Sequence, residues 1–199
     1  MSVRLKRALR TLFDPMTYVQ VMRIVHYYSY SHAQPRRRLT LGPNATIAPN
    51  ISIKNPERIT IGAGTRVGER AFLWAGDTSG RITIGEDCRL GPEVYITASD
   101  YGLLPDERIA HQARNERDVV IGNDVWLGAR VFVAAGVSIG DGCAVSAGSV
   151  VTRSLPPNSV AAGFPARVVR RREDYAPEQG ENGGRETEEA QERSTPASS

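Results

Sequence analysis

The chain has 199 residues, of which 40% are hydrophobic and only 7% aromatic, with a formal net charge of +3. That size fits one domain with extensions and excludes a multidomain assembly. Two cysteines without metal-like spacing, and no apolar run near the roughly 20 residues of a membrane span, exclude a disulfide scaffold and a spanning protein.

Charge is uneven along the chain. Eight of the first 40 residues are basic, whereas from Glu173 onward eight acids stand against two arginines, a net of −6. No nucleic-acid recognition motif accompanies the basic residues, so no nucleic-acid partner is expected. Residues 2–13 read as a short helix with Leu5, Ala8, Leu9 and Leu12 on one face. Residues 16–31 read as a second helix with three tyrosines near its end. Together, residues 1–40 form a basic helical N-terminal cap, because stacked strands end in edges that need covering. The same composition also suits a basic amphipathic segment at an anionic membrane surface. No continuous apolar core of a signal peptide is visible, so the expected location is the cytoplasm, with peripheral contact at the inner face of the membrane if that segment binds lipid.

From Leu41 the chain keeps a six-residue beat. Aliphatic residues open units at Leu41, Ile47 and Ile53, then at Ile61, Val67 and Leu73, then at Ile84, Leu90 and Ile96. Six units follow in unbroken register from Ile121 to Pro156. A period of six matches neither a helix nor an ordinary strand. It matches one flat side of a triangular coil, each unit being a short strand and a corner, with the aliphatic residue inward and a small residue beside it permitting the turn. About five coils of parallel strands stack an aliphatic core. Cys88 and Cys143 both occupy the fifth place of a hexad and read as small core residues. The beat breaks by two residues before Ile61, by five before Ile84, and by a long loop before Ile121. The domain is thus 41–172 with a loop at 102–118, where function tends to sit. Residues 173–199, rich in Glu, Gly, Ser, Gln and Pro, read as a disordered acidic tail.

The stretches VVIGNDVWLG (119–128), AGVSIGDG (135–142), SAGSVVTR (146–153) and LPPNSVAAGFPARVVR (155–170) resemble the hexapeptide-repeat acyltransferases, in the branch of galactoside, maltose and polysaccharide O-acetyltransferases. The resemblance implies an all-β fold, a left-handed parallel β-helix, assembled as a homotrimer with acetyl-CoA in the groove between two subunits. It places Trp126 at the thioester end and Ala129, Ala147 and Thr152 along the pantetheine arm. It places Arg153, Arg167 and Arg170 at the phosphates, where guanidinium groups bind well. Trp74 and Asp77, in FLWAGDTSGR (72–81), fall where such enzymes contact a sugar acceptor: Trp74 to stack on a sugar face, Asp77 to bond hydroxyls.

One departure is plain. The family's general base is a histidine, and in LGPEVYITASDYG (90–102) its position is held by Tyr101, a poor base at neutral pH. Three assignments stay open. His111, the one histidine in the loop, replaces the base, oriented by Asp100 or an acid from the loop; or Asp100 and Tyr101 act as an acid–base pair; or the base is lost and the chain is a CoA-binding or structural trimeric scaffold. The expected activity is acetyl-CoA-dependent O-acetylation of a hydroxyl on a sugar or polysaccharide precursor, with no metal. A zinc hydratase on the same prism needs three histidine ligands from the coils, and the repeat region has one histidine.

Overall fold

A computed structural model describes residues 13–175. Strands of two or three residues stack into three parallel faces. The first holds Thr40–Leu41, Ile59–Ile61, Ile82–Ile84, Val119–Ile121 and Ser138–Ile139. The second holds Thr46–Ile47, Arg66–Val67, Arg89–Leu90, Trp126–Leu127, Ala144–Val145 and Ser159–Gly163, and is closed by the antiparallel strand Ala166–Arg171. The third holds Ser52–Lys54, Phe72–Trp74, Tyr95–Thr97, Phe132–Val133 and Val150–Val151. Five coils and the start of a sixth therefore form the expected β-helix.

Register does the packing. Leu41 pairs with Ile61, Ile61 with Ile84, Ile84 with Ile121, and Ile121 with Ile139, so like residues stack along the axis. Every hexad-opening aliphatic named above is buried except Leu41, at the prism's open end, which is 39% exposed. The fifth places stack too: Thr65, Cys88, Val125, Cys143 and Ser159 are all buried. The Cys88 Sγ–H donates to the Gly122 carbonyl and the Cys143 Sγ–H to that of Pro156. Burial raises both thiols above their ordinary value, as befits small core residues rather than reactive ones.

The small residue that usually takes the second place of a hexad does more than permit the turn, and on the third face Lys54 and Trp74 hold that place instead. A Cβ on Gly62 would stand 2.5 Å from the Gly85 carbonyl carbon, and one on Gly128 would stand 2.5 Å from the Ala147 nitrogen. Glycine is required because the next coil lies against it. The left-handed conformation falls two residues later, on Asn44, Asp87, Asp124 and Asn158 at one corner and on Arg70, Glu93 and Arg130 at the next. Asn and Asp tolerate that region best. At the second corner Glu93 bridges Arg70 at 2.6 Å and Arg130 at 2.5 Å, and those arginines, Arg130 foremost, hold its carboxyl below the usual range.

At the N-terminus the expected helix 16–31 is a helix over Pro15–Tyr28, a π turn over Ser29–Ala33 and a short helical segment Gln34–Arg36. Asp14 caps it by accepting from the Met16 N–H at 2.9 Å, and Pro15 starts it. Covering of the first coil falls to His32, Pro35 and Leu39, which are buried, while Pro15–Tyr28 buries no residue. The expected helix 2–13 lies almost wholly outside the described residues. Of the acidic tail, Glu173 and Asp174 form an ordered 3-10 turn with Arg172, in which the Asp174 carboxylate accepts from the Arg171 N–H at 2.8 Å. Residues 176–199 lie outside the described residues.

Candidate active site

All three breaks in the beat fall at one corner, between the third and first faces, because each comes after the third hexad of a coil. The insertions therefore stack. Arg58, from the first, donates to the carbonyls of Gly76, Asp77 and Thr78 in the second. Asn55 donates to the carbonyls of Ala75 and Gly76 and to the Asp77 carboxylate. The second insertion then wraps a carboxylate from the third. The backbone N–H groups of Asp77, Thr78, Ser79 and Gly80 and the hydroxyls of Thr78 and Ser79 all donate to Glu116. Burial alone would raise the Glu116 carboxyl; these donors outweigh it and hold the group far below the carboxylate range.

Glu116 sits in the strand Asn115–Glu116, which pairs antiparallel with Ser99–Asp100 and forms the stem of the long loop. The loop's tip is held separately. The Gln112 side chain accepts from the Leu104 N–H and donates to the carbonyls of Leu104 and Glu107. Because Glu116 is more acidic in the folded chain than in the unfolded one, its contribution is complete above the unfolded value of about 4.3 and is lost as pH falls toward the folded value. Glu116→Gln is expected to cost about 2 kcal/mol at neutral pH, through weakened charge-assisted bonds. It should also flatten the acid side of the stability profile, which urea unfolding at stepped pH measures.

The stem aims Asp100 and Tyr101 over the outer surface of the third face. There the parallel register stacks Phe72 on Tyr95 and Tyr95 on Phe132, with centroids 5.3 and 5.2 Å apart. Trp74 meets Tyr95 edge to face at 5.2 Å and donates from its ring nitrogen to the Ser52 hydroxyl at 3.1 Å. Arg114 lies over the Tyr101 ring at 4.3 Å and donates to its hydroxyl oxygen at 3.2 Å. A cleft of about 270 Å³ results, lined by Lys54, Trp74, Tyr95, Asp100, Tyr101 and Arg114 among others. Asp100 faces Arg117 at 3.8 Å.

The sequence-predicted residues separate into groups. Asp100, Tyr101 and Trp74 meet in the cleft. Asp77 stands beside it, but its carboxylate is engaged by Lys54 at 2.8 Å and Arg114 at 3.4 Å, and the Lys54 hydrogen bond foremost lowers its pKa. It reads as the residue that aims Lys54 and Arg114. His111 ends the exposed 3-10 turn Ile109–His111 and does not line the cleft at Tyr101. Trp126 lies on the second face, 59% exposed, in line with Ala144, Val160 and Arg170 across successive strands. Ala129 and Ala147 stack at the corner between second and third faces, where the Gly148 N–H donates to the Ala129 carbonyl and a Cβ on Gly148 would meet nothing within 4 Å. Arg167 and Arg170 are exposed on the closing strand beside them. Thr152 and Arg153 are exposed at the other corner, below Asp100 and Tyr101.

Sequence reasoning missed Tyr95, Lys54, Arg114 and Glu116. Tyr95 was within reach, since it holds the same outward sixth place of a hexad as Trp126. Arg114 and Glu116 owe their places to stacked insertions, and Lys54, at the end of the strand Ser52–Lys54, is aimed by Asp77 of one of them, which no local pattern reveals. Among the described residues no group of three or more His, Cys, Asp or Glu side chains can hold a metal ion, and no helix is long and apolar enough to cross a membrane.

Known proteins share this fold. Residues 118–153 match the family described as bacterial transferase hexapeptide (six repeats). A galactoside O-acetyltransferase of Escherichia coli (strain K12) is 40% identical over 52 residues, a match that spans 26% of each chain. A hexapeptide-repeat acetyltransferase of Vibrio cholerae is similar in structure, with 30% identity, 70% of this chain and 77% of that one covered, and a TM-score of 0.63. A galactoside acetyltransferase in complex with coenzyme A is also similar, with 27% identity, 79% and 83% covered, and a TM-score of 0.64.

Proposed function

The chain belongs to the hexapeptide-repeat acetyltransferases, and on that premise we propose that it moves an acetyl group from acetyl-CoA to a hydroxyl of a sugar or glycan precursor, with Asp100 and Tyr101 at the reacting centre. The observation that carries the reading is the cleft itself. It brings a carboxylate, a phenol, a guanidinium and two aromatic rings to the position where the family's base belongs. Trp74 presents ring surface to a sugar, while Tyr95, stacked between Phe72 and Phe132, offers its edge and hydroxyl.

In this mechanism the Asp100 carboxylate accepts the proton of the acceptor hydroxyl. The oxygen attacks the thioester carbonyl carbon, the carbon–sulfur bond breaks, and the proton returns to the leaving sulfur. Arg114 and the Tyr101 hydroxyl face the negative charge that develops on the carbonyl oxygen. Lys54 and Asp77 hold Arg114 and the floor of the cleft. The exposed strip from Trp126 to Arg170 suits a linear arm. Three strand spacings of roughly 4.8 Å separate its ends, and the open corner at Ala129, Ala147 and Gly148 leaves backbone groups accessible.

The residues assigned to acetyl-CoA lie at two different corners of one prism. Trp126, Ala129, Ala147, Arg167 and Arg170 belong to the second face and its far corner, Thr152 and Arg153 to the corner that carries Tyr101. They line one groove only when a neighbouring subunit supplies one of the two sets. This is the physical support for a homotrimer with its sites between subunits, as closed cyclic assemblies provide.

Calorimetric titration tests the reading. Acetyl-CoA is expected to bind at one saturable site per subunit. Arg153→Glu and Arg170→Glu should each weaken it by about tenfold or more, since each loses a charge-assisted phosphate contact. Mixing the two variants in one oligomer should restore a fraction of full-affinity sites, because a groove can then take both intact sides. Absence of binding in the unaltered chain would overturn the enzyme. Binding without thiol release in the presence of any hydroxyl acceptor would leave the CoA-holding scaffold.

A further inference from the structure

The helix Pro15–Tyr28 packs on the π turn that follows it, and that turn, not the helix, carries the main contacts to the coils. At 100° per residue, Val21, Met22, Ile24, Val25 and Tyr28 fall on one half of its circumference, while Gln20, Arg23 and His26 fall on the other, together with Met16, Val19 and Tyr27. The five apolar side chains are all exposed. No acidic residue occurs between Pro15 and Arg38, whereas Arg23, Arg36, Arg37 and Arg38 do, and Arg4, Lys6, Arg7 and Arg10 precede them.

The geometry points to an anionic lipid surface as the partner of this helix. Fourteen residues make a helix of roughly 21 Å, too short to cross a bilayer and long enough to lie in its interface. In that pose the apolar half enters the boundary between headgroups and acyl chains. Arg23 and Arg37, both exposed, reach the phosphates. Tyr27 and Tyr30 stand at the junction with the coils, where amphipathic rings suit a wet, polar boundary. Charge decides between lipid and a second copy of the same segment. Two copies of a stretch holding four arginines and no acid repel, while an anionic headgroup layer attracts each arginine.

On the acyl-transfer reading, the docked helix also positions the site. A second cleft of about 500 Å³, lined by Tyr27, Tyr30, Arg38, Ser52, Lys54 and Trp74 among others, shares Lys54 and Trp74 with the cleft at Tyr101. A helix lying on lipid therefore holds the continuous cleft at the membrane surface.

The test is sedimentation of the full chain with phosphatidylcholine vesicles, with and without phosphatidylglycerol. Pelleting is expected with phosphatidylglycerol alone and should weaken with salt. Replacing Arg23 and Arg37 together by Gln should lower partitioning about thirtyfold. Ile24→Asp should abolish it while leaving the unfolding midpoint and acetyl-CoA affinity unchanged, because Ile24 is exposed on a helix that buries no residue. Equal pelleting with both vesicles, or none, overturns the proposal. So does light scattering in which Ile24→Asp converts an oligomer to single chains without altering lipid binding, which assigns the face to a second copy. Loss of acetyl-CoA binding by the unaltered chain would sink the acyl-transfer reading and leave the lipid result standing.

Discussion

Asp100→Asn is expected to lower the kcat of acetyl transfer by about a thousandfold, while His111→Ala leaves it near the unaltered value. The carboxamide keeps the shape of Asp100 and its place in the loop stem, but it cannot accept the hydroxyl proton. Tyr101→Phe keeps the ring beneath Arg114 and removes only the hydroxyl, and a loss of about a hundredfold is expected from a missing oxyanion donor. The asymmetry with His111 follows from anchoring. Asp100 pairs with Asn115 in the loop stem, and the next pair joins Ser99 to Glu116, which is bound by six donor groups of the neighbouring insertion. His111 ends an exposed turn, and no side-chain hydrogen bond among the described residues orients its ring. Thiol release from acetyl-CoA with a sugar acceptor, followed across substrate concentration, separates kcat from KM. Full activity in Asp100→Asn together with collapse in His111→Ala would move the base to the loop tip.

Ile121→Ala is expected to destabilise the chain by about 4 kcal/mol. Ile121 is 1% exposed and sits mid-stack, paired with Ile84 below and Ile139 above. A narrow prism has no second layer of side chains to collapse into the gap, so transfer and cavity terms both apply in full. Thr83→Ala, on the same face but pointing outward, should stay within about 0.5 kcal/mol. Urea unfolding of the three chains at one fixed protein concentration reads the difference, the concentration being held because the proposed homotrimer would make the midpoint depend on it. Equal effects at the two positions would contradict the inward and outward alternation on which the fold rests.

How much of this was legible beforehand differs residue by residue. The hexad openers reported their own burial, because a prism core accepts one aliphatic per side per coil and the beat records it. Leu41 broke the pattern for a reason outside its hexad: it belongs to the terminal coil, and the preceding helix stands away from it. The second-place glycines were legible as a requirement and not as a cause. Their spacing shows that a small residue is needed, but only coordinates show Gly85 against Gly62 and Ala147 against Gly128. Of the site residues, Tyr101 and Asp100 were marked by a departure from a family motif, and Trp74 by its place in the stretch where the family contacts a sugar acceptor. Arg114 and Glu116 had no mark, since a charged residue in a polar loop is unremarkable until its partner is known.

The sequence by itself determined the architecture, since a strict period of six with small corner residues admits only a three-sided coil, and it determined that the breaks in the beat would leave the scaffold. Tertiary structure alone decided that those breaks share one corner and hydrogen-bond to one another. It also decided that Asp100, Tyr101 and Arg114 converge there while His111 does not, and that the groove residues fall on two separate corners. The physical reason is distance along the chain. A six-residue beat is local and repeats in every unit, whereas Glu116 meets Thr78 and Ser79 across 38 and 37 positions, through bonds that exist only once the coils have stacked.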